Sequence, residues 1–368
     1  MIGINGTILG CRPSGLGIYA KNIIEELDRQ GVDFILYSSF VDDLVLSEKN
    51  RRRVHKIKFS VEPLDKYKHL LRYVWLQFIF PWYLKRDGIS VILNLVPEGV
   101  LFTQVAQVTV VHDLIPLFSK RENFFQRLNF RILVPQLLNL SKSIVTDSQA
   151  IKNDLIFFLK IKHEKIKVIP IAIDSRRFKP SDGQEIKKRF NLSRYFLYVG
   201  NILPHKNLAL LIEAFSRAEL GVEHKLVIAG HKDCRYYPSL CEFVNQNDLV
   251  GRVVFLDYVD NRDLPSLISE AEALVLPSLF EGFGLTPLEA MACGCPVASS
   301  DLPSVREVCV DAAKYFNPNN LDELSGILKN ISTNKSLRSS LKAKGLERAK
   351  CFSWEKCAKN LNEVIENI

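Results

Sequence analysis

The stretch ALVLPSLFEGFGLTPLEAMACGCPVASS, residues 273–300, reads as strand, glycine-rich loop, helix and second strand. Ala273–Leu276 is a short continuous apolar run, as a strand buried on both faces of a sheet demands. Leu288–Cys293 is expected to be helical, Gly294 suits the position just past a helix end, and Pro296–Ala298 begins the next strand. A strand, a helix and another strand in so short a span predict a parallel βαβ unit.

The same alternation extends outward in both directions. Upstream, Tyr195–Val199, Lys225–Ala229 and Val253–Leu256 read as strands, with helices over Leu208–Ala218, Ser239–Asn247 and Leu264–Ser269. The first half repeats the scheme, with strands at Met1–Leu9, Asp33–Tyr37, Ser90–Leu93, Gln107–Val111, Ser143–Thr146 and Lys167–Ile169. Its helices are Ile18–Arg29, Phe124–Leu138 and Gln149–Leu159. This is the pattern of an α/β protein made of two Rossmann-like, doubly wound domains in tandem. The seam is IPIAIDSRRFKPSDG, residues 169–183, which carries prolines, a glycine and mixed charge without helical periodicity. Domains over residues 1–173 and 174–352 follow, with a last amphipathic helix in residues 353–368.

The 368 residues are an ordinary globular mixture, which excludes disordered, collagen-like and disulfide-scaffold classes. A net charge of +8 favours phosphates or an anionic surface. No nucleic-acid module or Arg/aromatic cluster accompanies it, so no nucleic-acid partner is expected. The eight cysteines show no C-x-x-C pair, so Cys293 and Cys295 read as buried free thiols in a reducing, cytoplasmic setting. YVWLQFIFPWYL, residues 73–84, falls short of the ~20 apolar residues of a membrane span. A buried core helix is its expected role. The flanking Lys66, Lys68, Arg72, Lys85 and Arg86 keep a surface anchor in play.

In open α/β sheets ligands bind beyond the carboxyl ends of strands. The first strand is followed by GCRPSGLGIYA, whose Gly10, Gly15 and Gly17 lead into a helix. His112 and Asp113 follow Gln107–Val111; such a histidine is either a ligand to a cleft or one fixed by local hydrogen bonds. Gly200-Asn201-Ile202-Leu203-Pro204-His205-Lys206-Asn207 follows Tyr195–Val199, and Lys206 near a helix start suggests an anion bound between them. In the opening stretch, the backbone from Gly284 to Thr286 offers N–H groups to a diphosphate. Glu281 stands in the loop. Glu289 fits either a ligand contact or a Thr286-Pro287-Leu288-Glu289 capping box with proline at the first helical position.

The Glu281-x7-Glu289 spacing within FEGFGLTPLEAMACGCPV resembles the signature of the family 4 retaining glycosyltransferases with the GT-B fold. YVGNILPHKNLALLIEAF, LVIAG, FLDYV, HDLIP and SGLG extend the resemblance over nearly the whole chain, in the family's order. It implies two Rossmann-like domains facing a cleft: an N-terminal acceptor domain, on which the last helix packs back, and a C-terminal donor domain. By this resemblance Lys206 neutralises the diphosphate, and Phe283, Gly284, Leu285 and Thr286 bind phosphate and sugar through their backbone. Glu281 holds sugar hydroxyls, Glu289 the ribose, and Tyr258 and Val259 border the base. His112 lies near the sugar's outer hydroxyls, and Gly15 approaches the phosphates. The family often has arginine where this chain has Asn201; His205 and Arg12 are candidates for the missing charge.

The implied activity is transfer of a hexosyl group to an acceptor hydroxyl, with retention, in polysaccharide or glycolipid synthesis. No strand ends in Asp-x-Asp, and Lys206 with a helix N-terminus can stabilise the leaving group, so neither a metal nor another cofactor is expected. UDP-glucose is favoured over GDP-mannose as donor; Asp257 or Asp260 would suit guanine, whereas uracil needs only backbone partners near Tyr258. The acceptor is expected to be a saccharide or lipid-linked saccharide, with peripheral contact at the inner face of the cell membrane. Rival readings are a nucleotide-sugar epimerase, a phosphorylase and a nucleotide-sugar-binding partner.

Overall fold

The computed structural model describes residues 1–10, 15–57, 68–118 and 127–368. They divide into two compact units: Met1–Ile171 together with Trp354–Ile368, and Ala172–Ser353.

The N-terminal unit holds an all-parallel sheet of β1 (Ile2–Asn5), β2 (Phe34–Ser38), β3 (Val54–Lys56), β4 (Val91–Asn94), β5 (Ala106–Val111), β6 (Ser143–Thr146) and β7 (Ile166–Val168). Their order is β3-β2-β1-β4-β5-β6-β7. The C-terminal unit repeats the winding with β8 (Arg194–Val199), β9 (His224–Ala229), β10 (Val253–Leu256), β11 (Ala273–Leu276), β12 (Val297–Ser300) and β13 (Ala313–Phe316), in the order β10-β9-β8-β11-β12-β13. In each sheet the strand order reverses between the unit's first and fourth strands, β1/β4 and β8/β11. Those two switch points are where loops diverge and leave room for a ligand.

The strands form where β-rich apolar runs can be covered on both faces. In the C-terminal unit Phe196, Leu226, Val275 and Ala298 enter one core with Leu211, Phe215 and Leu328. The first strand is shorter than the expected Met1–Leu9: Gly6 N still bonds Tyr37 O at 2.9 Å, but Thr7 then turns its hydroxyl onto Asn5 Oδ1 at 2.7 Å. The edge strands β3 and β13 escape the apolar criterion because VHK is nowhere fully buried and AKYF mixes exposed and buried positions. The helices Leu321–Thr333 and Lys335–Ala349 were likewise not expected from the pattern. At the ends of β8 and β9 the backbones nearly touch. A Cβ on Gly230, at φ +149°, would fall 2.0 Å from Gly200 O.

The final helix, Trp354–Glu366, buries Cys357, Ala358, Leu361 and Ile365 and packs on the helix Gly15–Arg29. The segment 73–84 lies in a helix running from Lys68 to Arg86, with a π-helical turn at Trp75–Ile79 immediately before Pro81. A second helix has the same device, a π turn at Asn129–Leu133 before Pro135. The wider turn accommodates a ring that lacks an N–H and would clash with the preceding carbonyl. Residues 119–126, which include the first three residues of the expected helix Phe124–Leu138, lie outside the described residues, as do Arg12, Lys66 and Tyr67.

Candidate active site

The C-terminal switch point gathers polar side chains from two loops. β8 runs into Asn201 and a 3₁₀ turn, Pro204–Lys206; β11 runs into the loop carrying Ser278 and Glu281. The two loops are stitched together by Leu279 N donating to His205 O at 2.8 Å. Lys206 Nζ donates to Glu281 Oε1 at 2.7 Å, and Ser278 Oγ donates to the same oxygen at 2.6 Å. Ser304 Oγ fixes the Glu281 carbonyl at 2.7 Å. The charged pair is mostly buried, with 17% and 14% of the two side chains exposed. Glu281 Oε2 accepts no bond among the described residues, and an ammonium has three donors, so both partners retain capacity for a ligand.

The helix Leu285–Ala292 starts beside this pair. Its N-cap is Gly284, at φ +104°, and no side chain caps it. That left-handed residue starts the helix before Thr286, so the Thr286–Glu289 capping box is absent and Pro287 stands at the third helical position. The first-turn N–H groups of Leu285 and Thr286 are left for an anion, with the helix dipole in the right sense. Phe283 is buried, its ring edge-on to Phe352 at 6.0 Å, so only its backbone is available to a ligand. Glu289 is partly exposed yet deeply surrounded, and desolvation raises its carboxyl pKa to about 8 against a small opposing pull from Arg177.

Asn201 is exposed, and its carbonyl accepts from Tyr198 OH at 2.9 Å. For His205, burial, then the neighbouring Lys206 charge, push the pKa below the ordinary value, and Glu281 only partly offsets them. A cation that the sequence analysis missed stands nearby. Lys232 forms a parallel bridge with Ile202, next to Asn201, and its Nζ lies 3.8 Å from Asp257. Its only sequence signal is its place just after the glycine that ends β9. Tyr258 and Val259 follow β10, two strands from the switch point, with Tyr258 exposed.

In the N-terminal unit, three neighbouring strand ends converge on His112. Its Nδ1 lies 2.7 Å from Asp147 Oδ2, after β6, and its Nε2 lies 3.1 Å from the Leu95 carbonyl, after β4. Tyr19 packs edge-on to the ring at 4.4 Å. Both ring nitrogens are thus held by local bonds. A carboxylate and a carbonyl both accept, so the geometry calls for N–H on both ring nitrogens. Burial alone would lower the pKa, but the Asp147 charge and hydrogen bond, with smaller help from Leu95 O and Asp113, raise it. Asp147 was not singled out in the sequence because TDSQ carries no recognisable spacing. Gly15 opens the helix Gly15–Arg29 with open space where a Cβ would stand.

Comparison with known proteins gives a consistent result. The profile described as Glycosyltransferase Family 4 matches residues 13–177, and that described as Glycosyl transferases group 1 matches residues 182–348. The O-antigen chain mannosyltransferase B of Escherichia coli is 32% identical over 226 residues, covering 60% of this chain and 59% of that protein. The match thus spans about three fifths of the relative's length. Sucrose-phosphate synthase from Thermosynechococcus elongatus has a TM-score of 0.79 at 20% identity, over 100% of this chain and 98% of that one. Anabaena Alr3699/HepE, solved in complex with UDP and glucose, has a TM-score of 0.78 at 17% identity, over 100% of each chain. The structural likenesses establish the fold, the two profiles take in both units, and the chain belongs to the group 1 glycosyltransferases of the GT-B fold.

Proposed function

We propose that this protein is a hexosyltransferase that takes a sugar from a nucleoside-diphosphate donor and passes it, with retention and without a metal ion, to an acceptor hydroxyl in polysaccharide or glycolipid synthesis. The observation that carries the reading is the Lys206–Glu281 pair at the β8/β11 switch point, beside an uncapped helix N-terminus. In this reading Lys206 turns its remaining N–H donors to the diphosphate, and the Leu285 and Thr286 N–H groups take a phosphate oxygen. Lys232 supplies the second positive charge that Asn201 lacks. Glu281 Oε2 accepts from sugar hydroxyls while Ser278 and Lys206 hold Oε1, and Glu289 binds the ribose. The family resemblance adds His112 at the sugar's outer hydroxyls and Gly15 at the phosphates.

As the bond from the anomeric carbon to the diphosphate breaks, negative charge grows on the leaving oxygen, where Lys206 and the helix dipole stabilise it. The acceptor hydroxyl attacks from the same face and yields its proton to the leaving phosphate, so the anomeric configuration is kept. In this reading Glu281 serves as a ligand to the sugar through Oε2, with Oε1 held by Lys206 and Ser278.

For the donor, the likeness to an O-antigen mannosyltransferase favours GDP-mannose, and the exposed Asp257 carboxylate beside Tyr258 suits the N–H groups of guanine. UDP-glucose, favoured by the residue reading alone, stays as the second candidate. A lipid-linked saccharide acceptor would bring the enzyme to the cytoplasmic face of a membrane. A hydrolysis screen across nucleotide sugars, with and without EDTA, tests the proposal. One donor should be cleaved slowly without acceptor, and the rate should survive the chelator. Loss in EDTA with recovery in manganese would overturn the metal-free mechanism, and cleavage of none would favour a binding partner.

A further inference from the structure

We propose that one face of the N-terminal unit docks on an anionic lipid surface, and that this face is built from two helices and a loop instead of the 66–86 segment alone. The inference deepens the lipid-linked acceptor reading but stands on the surface itself.

The helix from Lys68 to Arg86 is divided lengthwise. Trp75, Leu76, Phe80 and Leu84 are buried in the core with Tyr37 and Ile92, so two of the aromatic residues in the segment are unavailable to a membrane. Its other face leaves Val74, Phe78 and Trp82 exposed, Phe78 by 74% and Trp82 by 59%. Gln77 donates to Gly99 O at 2.8 Å and accepts from Leu101 N at 2.9 Å. Those bonds hold the loop bearing Phe102, which is 74% exposed, beside the turn bearing Phe78. Tyr73 OH donates to Asn129 Oδ1 at 2.8 Å, which sets the second helix alongside with Leu128 and Ile132 exposed. Single exposed apolar side chains need no explanation, but a patch assembled from three segments does.

Charge selects the partner. Residues 68–86, 97–105 and 127–140 contain six Lys or Arg and one acid, Glu98. Arg72 pins that acid at 2.6 Å, so it does not oppose an anionic surface. Lys85, Arg86 and Arg131 are exposed. The Arg86 guanidinium lies over the rings of Trp82 and Tyr83, at 5.0 and 4.6 Å, while it also pairs with Asp87 just beyond the helix. Aromatic rings interleaved with cations match the headgroup layer, where the ring sits at the apolar boundary and the cation meets lipid phosphate. No helix of the described residues is long and apolar enough to cross a membrane, so docking would be on one face.

Sedimentation of the full chain with phosphatidylcholine vesicles, with and without phosphatidylglycerol, tests this. Binding should need phosphatidylglycerol, fall as salt rises, and drop about tenfold or more in Phe78→Ser/Trp82→Ser. Lys85→Gln/Arg86→Gln/Arg131→Gln should lose the preference for the anionic lipid. Phe102→Ser, on a loop outside the core, should weaken binding with melting temperature unchanged, which separates a lost surface from a misfolded unit. Donor hydrolysis without vesicles should be the same in all variants. If the parent cleaves no donor yet binds vesicles, the glycosyl-transfer reading fails and the docking face stands. No binding to anionic vesicles at low salt overturns the proposal. So does a lipid-free dimer that Phe78→Ser/Trp82→Ser dissolves while vesicle binding is unchanged.

Discussion

The two units share a winding but treat their switch points in opposite ways. At β1/β4 the strands end in Asn5 and Asn94, and Asn5 Nδ2 donates to Asn94 Oδ1 at 3.1 Å and to Glu98 O at 3.0 Å. Asn94 then donates to Gln107 Oε1 at 3.1 Å, so neutral amides close the point on themselves, buried. At β8/β11 the same topological place holds a lysine and a glutamate that keep unused hydrogen-bonding capacity. The N-terminal unit has its own pair, His112 and Asp147, displaced to β5/β6; both ring nitrogens are held locally, while Asp147 Oδ1 is buried with no hydrogen-bond partner among the described residues. Topology provides a crevice in each unit. The side chains that follow the strands decide whether it is sealed or left open for a ligand.

If the open point is the donor site, Glu281→Gln should lower transfer about a hundred- to a thousand-fold, the range for removing a group that holds the reacting centre. Affinity for the free nucleoside diphosphate should not fall, since the change releases Lys206. Steady-state transfer and calorimetry on one preparation would check both, and an unchanged rate would break the contrast between the units. Lys206→Ala should weaken nucleoside-diphosphate binding by about 1.5–3 kcal/mol, as for hydrogen bonds to charged groups. Nucleoside binding should hardly change. Equal losses on both ligands would point to a disturbed fold.

In the N-terminal unit, Asp147→Asn should lower the pKa of His112, because it removes the adjacent opposite charge that raises it. The raised pKa means that the stability linked to His112 is fully present below its unfolded pKa and is lost as pH rises through the folded value. Burial also raises the Asp147 carboxyl, so the charged pair itself fails once Asp147 protonates at low pH. An NMR titration of the ring in parent and variant would show it, and coincident curves would refute a charged pair.

Glu289 should give the smallest effect, and one of opposite origin. Its folded pKa of about 8 exceeds its ordinary 4.5, so the folded state binds more protons in that window and stability falls as pH rises through it. Glu289→Gln should flatten that slope and be the more stable protein above pH 8. Nucleotide affinity should drop in the same variant if the carboxylate holds the ribose. Melting temperatures across pH, read beside affinity, separate the two roles, and parallel slopes would remove the buried-carboxylate account.

The fold was readable where a strand is buried along its whole length, as Ala273–Leu276 is, because such a strand can only be a continuous apolar run. The edge strand Val253–Leu256 was legible because its sequence is wholly apolar, although only Val253 is buried. Strands β3 and β13 were not, since an edge strand needs no such run. The residues of the open switch point were legible because glycine, lysine and glutamate crowd into two short loops after strands. Their pairing was not, because Lys206 and Glu281 lie far apart in sequence and meet only through the β8/β11 adjacency. Asp147 and Lys232 were missed for the same reason. The capping box was a false signal: the four-residue pattern is present, but Gly284 starts the helix first.

The helix Trp354–Glu366 has a consequence for the order of synthesis. It completes the unit that the ribosome makes first, and Trp354 meets Tyr19, the ring that packs on His112, edge-on at 5.9 Å. Residues 172–353 must be translated in between, which takes on the order of ten seconds or more at cellular elongation rates. Throughout that interval the nascent helix Gly15–Arg29 lacks its partner and shows an apolar side to the cytosol. The second unit, continuous in sequence, can close without waiting. A stop codon that removes only the last helix would therefore leave the second unit intact and turn the earlier one into a client for chaperones.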